Sequence, residues 1–487
     1  MNRQPFMLAA MLFALGFVLR LHGIADKPFW MDEVTTIQRA SLPLRALVSN
    51  ALTFHQLPSY FVLTSWVLPF GTNEAWVRLP AVLFGALSCA LGFGVARALG
   101  GTAAGLATGL LLAFSPAQVQ YGQEARSYTL LICGILVALW GLVLLAQDLP
   151  GAARRFREAG WRPGAWGAYT FGTVAALNTL SAALLWFVAA NIASIALGRK
   201  APRGFWRNWL LAQTVILLLC LPWFLAVALH GQRGVMGGLD WVPPLSWGRL
   251  WWTLSSTYFM YVTSLITVRV FAPGVPGFGL LVFAMAVCGG FALRRRAAPL
   301  AVLAAAVLTL PIGLLLISLV SPVLMPRYLL WSAAPFFVCA GLGLLVLPRR
   351  WQLPAAYAIG VLCALNLRPY YTDETKPRWD LAAQELQAQM KPGDLLLVDD
   401  PQAVSMMNIY LNRKAAPIPA GAWTTDLNQA AAARAAGHHI WAVQGRVGQV
   451  DHETQAQFLN SIASLGLPSF TEHAGLDVIL LRFDAPG

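Results

Sequence analysis

Long apolar runs separated by short polar loops dominate the first three quarters of the chain. A spanning helix needs about 20 apolar residues. Eleven stretches approach that length, near 6–24, 76–98, 102–119, 127–147, 165–180, 182–198, 208–229, 277–293, 299–319, 328–347 and 353–368. The stretch LPSYFVLTSWVLPFG at 57–71 is too short to cross comfortably and reads as an interfacial or re-entrant helix. After Arg368 the pattern changes to that of a small α/β unit. Strands are expected at 394–400, 439–445 and 478–483, with helices near 378–390, 402–411, 425–436 and 452–465. The fold class is therefore a polytopic all-α membrane domain of about 11 helices (1–368) followed by a small extracytoplasmic α/β domain (369–487).

Composition agrees: 57% of the 487 residues are hydrophobic and 11% charged, against about 25% charged in an ordinary soluble domain. Phe6 to Ile24 has the charged start of a signal peptide in Arg3 but no small-residue cleavage site after it, so it is expected to remain as the first span. All six cysteines (Cys89, Cys133, Cys220, Cys288, Cys339, Cys363) lie in apolar runs and suit packing rather than disulfides or a CxxC metal site.

The net charge of +13 raises the question of nucleic acid, but the basic residues are mostly arginines scattered at the ends of apolar runs, where they meet lipid phosphate and obey the positive-inside rule. No nucleic-acid partner is expected. Four short loops carry them: Arg154, Arg155, Arg157 and Arg162; Arg199, Lys200, Arg203 and Arg207; Arg294 to Arg296; and Arg349 with Arg350. Eleven spans put all four on the cytoplasmic side together with Arg3. That places the tail outside a bacterial cytoplasmic membrane. The same topology puts 26–75, 120–126, 230–276 and 320–327 outside, the third of these carrying Trp241, Trp247, Trp251, Trp252, Tyr258 and Tyr261, which suit an interface belt.

Only eight acids occur in residues 1–368, and six of them (Asp26, Asp32, Glu33, Glu74, Glu124, Asp240) fall on the outer side, so acid chemistry is available there. Asp148 and Glu158 fall in an arginine-rich cytoplasmic loop as surface charge. Asp32 could be a helix N-cap, because VTTIQRA continues with Val34, Ile37 and Ala40 at helical spacing. Capping leaves Glu33, Trp30 and the downstream cluster His55, Tyr60, Glu74 and Arg78 without a reason. Glu124 could stabilise the start of the fourth span while Arg126 reaches headgroups.

The segments PFWMDE, HQLPSYFVLTSWVLPFGTNEAWVRLPAVLFG, SPAQVQYGQEARSYTLL, MPRYLLWSAAPF and KPRWDLAAQELQAQMKPGDLLLV resemble those of membrane glycosyltransferases related to protein O-mannosyltransferases and lipid A aminoarabinose transferases. The resemblance implies a GT-C fold and a polyprenyl-phosphate sugar donor. It implies a catalytic aspartate at Asp32 with Glu33 and Glu124 nearby in the cavity. Arginine suits the departing phosphate because its planar fork stays charged, and Arg78, Arg126 and above all Arg327 sit at outer helix ends. Trp30, His55, Tyr60, Tyr121 and Tyr328 are the expected cavity residues. The acceptor class (glycan, lipid or protein) stays open. So does a divalent cation: the chain reads HQLP where many relatives read HPPL, has no histidine in 176–186, and supplies no metal-ligand set. Two further readings are a lipid-linked sugar flippase and an oligosaccharide ligase. Mid-span polar residues are few and uncharged (Asn191, Gln213, Thr309), which tells against the flippase, and Trp251-Trp252-Thr253 in a loop is a poor match for the ligases' WWD in a soluble domain.

Overall fold

A computed structural model describes residues 3–147, 163–199, 201, 203–231, 242, 244–265, 268–414, 416–444, 452–473 and 478–485. The loop arginines 154–162, Lys200, and Asp148, Glu158, Asp240 and Trp241 lie outside the described residues.

The helices are α1 (Gln4–Leu21), α2 (Met31–Ala40), α3 (Leu44–Thr53), α4 (Ser59–Ser65), α5 (Glu74–Phe114), α6 (Pro116–Gln120), α7 (Tyr128–Gln147), α8 (Pro163–Leu177), α9 (Ala183–Gly198), α10 (Arg203–His230), α11 (Trp247–Thr257), α12 (Phe278–Ala292), α13 (Ala297–Ser318), α14 (Pro326–Leu342), α15 (Arg349–Thr372), α16 (Trp379–Gln389), α17 (Pro401–Lys414), α18 (Leu427–Ala435) and α19 (His452–Ile462). Each of the eleven apolar stretches falls on a helix, and among the described residues six helices are long and apolar enough to cross a membrane on their own. The second and third stretches share α5, which breaks at Gly101 (φ 80°, ψ −171°). That backbone is open to glycine and strained for other residues. The 57–71 stretch forms α4 and a short 3₁₀ turn at Leu68–Phe70, with Trp66 and Phe70 exposed.

Two ends of the bundle are distinguishable by which loops meet. At one end Arg296 donates to the Leu99 carbonyl over 2.8 Å and Gln147 donates to that of Ala98. At the other end, the segments after α1, α6, α13 and α15 converge on α2.

The composition boundary at 368 falls inside α15, which runs on through Pro369 to Thr372. Beyond it, five strands lie in the order β2-β1-β3-β5-β4: β1 (Leu395–Val398), β2 (Trp423–Thr424), β3 (Ile440–Gln444), β4 (Phe470–His473) and β5 (Ile479–Phe483). β1 runs parallel to β2 and β3, with Val398 beside Val443, whereas β5 is antiparallel to β3 and β4. β2 and β4 were not anticipated: WT is too short to show alternation, and FTEH reads as polar. The strand expected from 439 starts one residue later, at Ile440, with His438 and His439 ahead of it.

Alternation along these strands sends Leu396, Val398, Trp441, Val443 and Leu480 to the face continuous with the membrane-domain core. Leu395, Leu397, Ile440, Ala442 and Leu481 face the other way, onto Ala430 of α18 and Ile462 of α19. Further clamps join the two parts. The Phe29 amide donates to the Tyr410 hydroxyl at 2.6 Å, Lys27 donates to the Asp373 carbonyl at 2.9 Å, and Arg413 pairs with Glu74 at 3.0 Å. The tail thus holds the turn that leads into α2.

Candidate active site

Successive residues of a helix point about 100° apart, so the first turn of α2 sends its two carboxylates in different directions. Asp32 keeps 25% of its side chain exposed, while Glu33 is fully buried. Glu33, not Asp32, reaches back to the start of the helix, accepting from the Trp30 amide at 3.4 Å; Trp30 holds the N-cap position and Asp32 lies beyond it. The capping alternative weighed for Asp32 therefore does not hold. A carboxylate two places into the helix is past the position from which it caps, whereas one at the third place can fold back.

Asp32 Oδ2 lies 3.2 Å from Arg327 Nη1 and 3.6 Å from Arg126 Nη2. Arg327 enters at the start of α14, its guanidinium over the rings of Trp30 and Tyr328 at 5.3 Å each. Arg126 also donates to the Asp32 carbonyl at 3.4 Å and to Thr36 Oγ1 at 3.3 Å, with the Tyr128 ring 6.0 Å away. Two cations facing one carboxylate leave this open side with a net positive charge. That suits an arriving anion.

Glu33 is held by five donors. Oε1 accepts from Arg78 Nε at 2.8 Å and the Ala125 amide at 2.9 Å; Oε2 accepts from Arg78 Nη2 at 2.9 Å, Lys376 Nζ at 3.0 Å and the Trp30 amide. Burial alone would favour its protonated form, but Arg78 and Lys376 outweigh it and hold the carboxyl down at about 2. Glu124 is equally buried, and neither of its oxygens has a hydrogen-bond partner; its ion-pair partner is Lys376 Nζ at 3.8 Å. Burial pushes Glu124 up to about 7 against the pull of Lys376, with Glu33 adding like charge.

Arg78, expected beside the phosphate, has all five N–H groups engaged inside the protein: besides Glu33 they reach the carbonyls of Ile24 (2.6 Å), Lys27 (2.8 Å) and Pro28 (3.0 Å). It braces the α1–α2 turn and has no donor left for a ligand. Tyr60 and Tyr121 are buried near these charges, and the Tyr60 hydroxyl and Trp30 Nε1 lack hydrogen-bond partners. His55, at a positive φ of 56°, packs its ring on Gly231, just past the end of α10. Glu74 pairs with the tail rather than with His55 or Tyr60. Trp252 turns inward and donates to the Ser264 carbonyl at 3.3 Å, a structural use of the Trp-Trp-Thr segment. Among the described residues no group of three His, Cys, Asp or Glu side chains comes together as a cation site.

Reading the sequence singled out Asp32, Glu33, Glu124, Arg126 and Arg327, and the fold brings these together. It missed Lys376. A signal was there: the chain has only five lysines, and this one opens the KPRWD segment that follows the last apolar run.

Neither a protein-family model nor a curated protein matches the chain in sequence. In structure it is similar to ArnT from Cupriavidus metallidurans in the apo state, at 15% identity over 98% of both chains with a TM-score of 0.58. The same protein bound to undecaprenyl phosphate aligns at 15% identity over 98% of both chains with a TM-score of 0.54. The archaeal oligosaccharyltransferase AglB from Archaeoglobus fulgidus, in complex with an inhibitory peptide and a dolichol-phosphate, aligns at 12% identity over 91% of this chain and 69% of its own, with a TM-score of 0.54. The chain has the GT-C fold.

Proposed function

We propose that this chain transfers a sugar from a polyprenyl-phosphate-linked donor to an acceptor hydroxyl at the outer face of a bacterial cytoplasmic membrane, with inversion and with Asp32 as base. The observation that carries this is the division of labour among the carboxylates: Asp32 alone of the three is partly exposed, and Arg327 and Arg126 flank it. In this reading eleven spans leave the N-terminus in the cytoplasm and the tail outside.

The chemistry follows from the charges. Asp32 accepts the proton of the acceptor hydroxyl as its oxygen bonds to the anomeric carbon from the face opposite the phosphate. The bond between that carbon and the phosphate oxygen breaks, its electron pair leaving with polyprenyl phosphate. The phosphate gains one negative charge as it departs, and Arg327 and Arg126 stand where that charge develops. A positioned base contributes roughly 10²–10⁴-fold. The two arginines bridge to Asp32 and can turn part of their N–H array to a donor phosphate. Similarity to proteins solved with undecaprenyl phosphate and dolichol-phosphate supports a donor of this class. The exposed aromatics Trp66, Phe70 and Trp76, between α4 and the start of α5, suit headgroup depth, where a lipid phosphate rides.

The test is incubation of purified protein with a panel of radiolabelled polyprenyl-phosphate hexoses and pentoses, reading loss of label from the lipid and release of polyprenyl phosphate. Movement of an intact donor across liposomes without release of polyprenyl phosphate would overturn the transferase in favour of a flippase.

A further inference from the structure

We propose that Lys376 is a positioning residue for this transfer: it binds Glu33 and Glu124 into one buried charge cluster whose geometry holds Asp32 between Arg126 and Arg327. The inference rests on the transferase reading above.

The geometry is specific. Glu33 follows Asp32 in sequence, and Ala125 precedes Arg126. The 2.9 Å bond from the Ala125 amide to Glu33 Oε1 therefore sets how far the backbone bearing the base stands from the backbone bearing one phosphate arginine. On Glu33's other oxygen sits Lys376, at 3.0 Å, and the same ammonium is 3.8 Å from Glu124, the residue before Ala125. Lys376 thus joins the two strips of backbone, 31–33 and 124–126, sharing Glu33 Oε2 with Arg78 Nη2 and reaching on to Glu124.

Charge makes the arrangement sensitive. Arg78, Lys376, Glu33 and Glu124 each keep at most 1% of their side chains exposed, two cations against two carboxyls. Without Lys376, Glu33 still has Arg78, but among the described residues Glu124 has no other cation at ion-pair distance and no hydrogen-bond donor. A buried carboxylate in that position takes up a proton or draws water into the turn. Either outcome loosens the 124–126 strip that carries Arg126.

Lys376 itself is well anchored. The neighbouring carbonyls of Asp373 and Thr375 accept from Lys27 Nζ at 2.9 Å and from the Leu265 amide at 3.2 Å. Within 373–378 the other charged side chains, Asp373, Glu374 and Arg378, stay at least partly exposed, and only Lys376 is sent inward. The segment after the last apolar helix therefore completes the site. On this account residues 1–368 alone hold the base without its brace.

The experiment compares full-length Lys376→Met, Lys376→Arg, Glu124→Gln and the double variant Lys376→Met/Glu124→Gln in liposomes. Two quantities are read: undecaprenyl phosphate binding, and release of undecaprenyl phosphate from a pool of undecaprenyl-phosphate-linked hexoses and pentoses. Lys376→Met is expected to lose roughly tenfold to a hundredfold in turnover, the scale of a small misplacement of reacting groups, with undecaprenyl phosphate binding weakened by clearly less than turnover because Arg327 keeps its place. Lys376→Arg should recover part of the loss, and the double variant should turn over no more slowly than Lys376→Met, since the two residues act as a unit. Wild-type turnover in Lys376→Met, binding that falls in step with turnover, or single losses that multiply in the double variant would each overturn the proposal. If Lys376→Met does not fold, the double variant, which leaves no unpaired buried charge, and Lys376→Arg carry the same comparison. Asp32→Asn is the control: an active Asp32→Asn sinks the assignment of the base, whereas an inactive Asp32→Asn beside a normal Lys376→Met sinks only the positioning role.

Discussion

Arg327 and Asp32, 295 positions apart in the chain, meet at 3.2 Å between Nη1 and Oδ2, with the arginine lodged between the rings of Trp30 and Tyr328. The aromatic flanks fix the plane of the guanidinium, so its fork faces one direction. Replacing it with alanine is expected to weaken undecaprenyl phosphate binding by about 1.5–3 kcal/mol, the value of a charge-assisted bond. Lysine should restore only part, lacking the fork. Unchanged binding in Arg327→Ala, measured by titration, would reduce Arg327 to an anchor for α14.

A second expectation concerns stability against pH, where the two buried glutamates act in opposite directions. Burial raises Glu124 from its ordinary 4.5 to about 7, so its proton is held more tightly in the folded chain; the stability this gives is full below 4.5 and lost as pH rises through about 7. Glu33 is the reverse. Although burial opposes its ionisation, Arg78 and Lys376 bring it from 4.5 down to about 2, so its contribution is full above 4.5 and lost as pH falls toward about 2. Thermal midpoints of the purified protein should therefore fall between pH 4.5 and 7, and Glu124→Gln should flatten that slope while leaving the acid side unchanged. A slope the same in both proteins would mean that another group sets it.

Much of this was legible in the sequence, and the reason is physical. Apolar runs and arginine-bearing loops report the helices directly, because the bilayer selects length and composition residue by residue. Asp32, Glu33, Glu124, Arg126 and Arg327 stood out because charge is scarce in such a chain. What stayed hidden depends on contacts between distant segments. Nothing local distinguishes Glu33, with five donors, from Asp32, with an open side. Arg78 looked like a phosphate ligand until its five N–H groups were traced to Glu33 and three carbonyls. Lys376 reads as an ordinary linker lysine until α15 delivers it against Glu33.

In the tail, Asp399 and Asp400 directly follow β1 and invite a metal reading. Asp400 Oδ1 instead accepts from the Gln402 amide at 2.9 Å, at the start of α17. Asparagine serves that position as well as aspartate. The double replacement Asp399→Asn/Asp400→Asn is expected to leave sugar transfer within a few-fold. Complete loss in a folded double variant would shift catalytic weight onto the tail.

Orientation can be read independently of activity. If the four arginine-bearing loops are cytoplasmic, an odd number of spans leaves the tail outside. A reporter that works only in the cytoplasm, fused after Gly487, should then be silent, and one that works only outside should be active. The opposite pattern would move Asp32 to the cytoplasmic side and overturn the proposed site.

The last expectation separates chemistry from structure at Asp32. Its oxygens do not cap α2, and its partners are the two arginines at the open side. Asp32→Asn keeps the shape and loses the base, so transfer should fall by roughly 10²-fold or more. Undecaprenyl phosphate binding should persist, because removing a carboxylate beside two arginines leaves them more available to phosphate. The thermal midpoint should fall less than in Glu33→Gln, since Asp32 keeps a quarter of its side chain exposed and the amide oxygen of asparagine can still accept from Arg327. Glu33→Gln should behave differently: breaking a buried pair typically costs about 3–5 kcal/mol, so its first sign is a lower thermal midpoint, with activity following the loss of fold. If Asp32→Asn unfolds the protein while Glu33→Gln does not, the two roles have been assigned to the wrong neighbours. Near-normal turnover in a folded Asp32→Asn would remove the base from the mechanism and leave Glu124 as the next carboxyl to test.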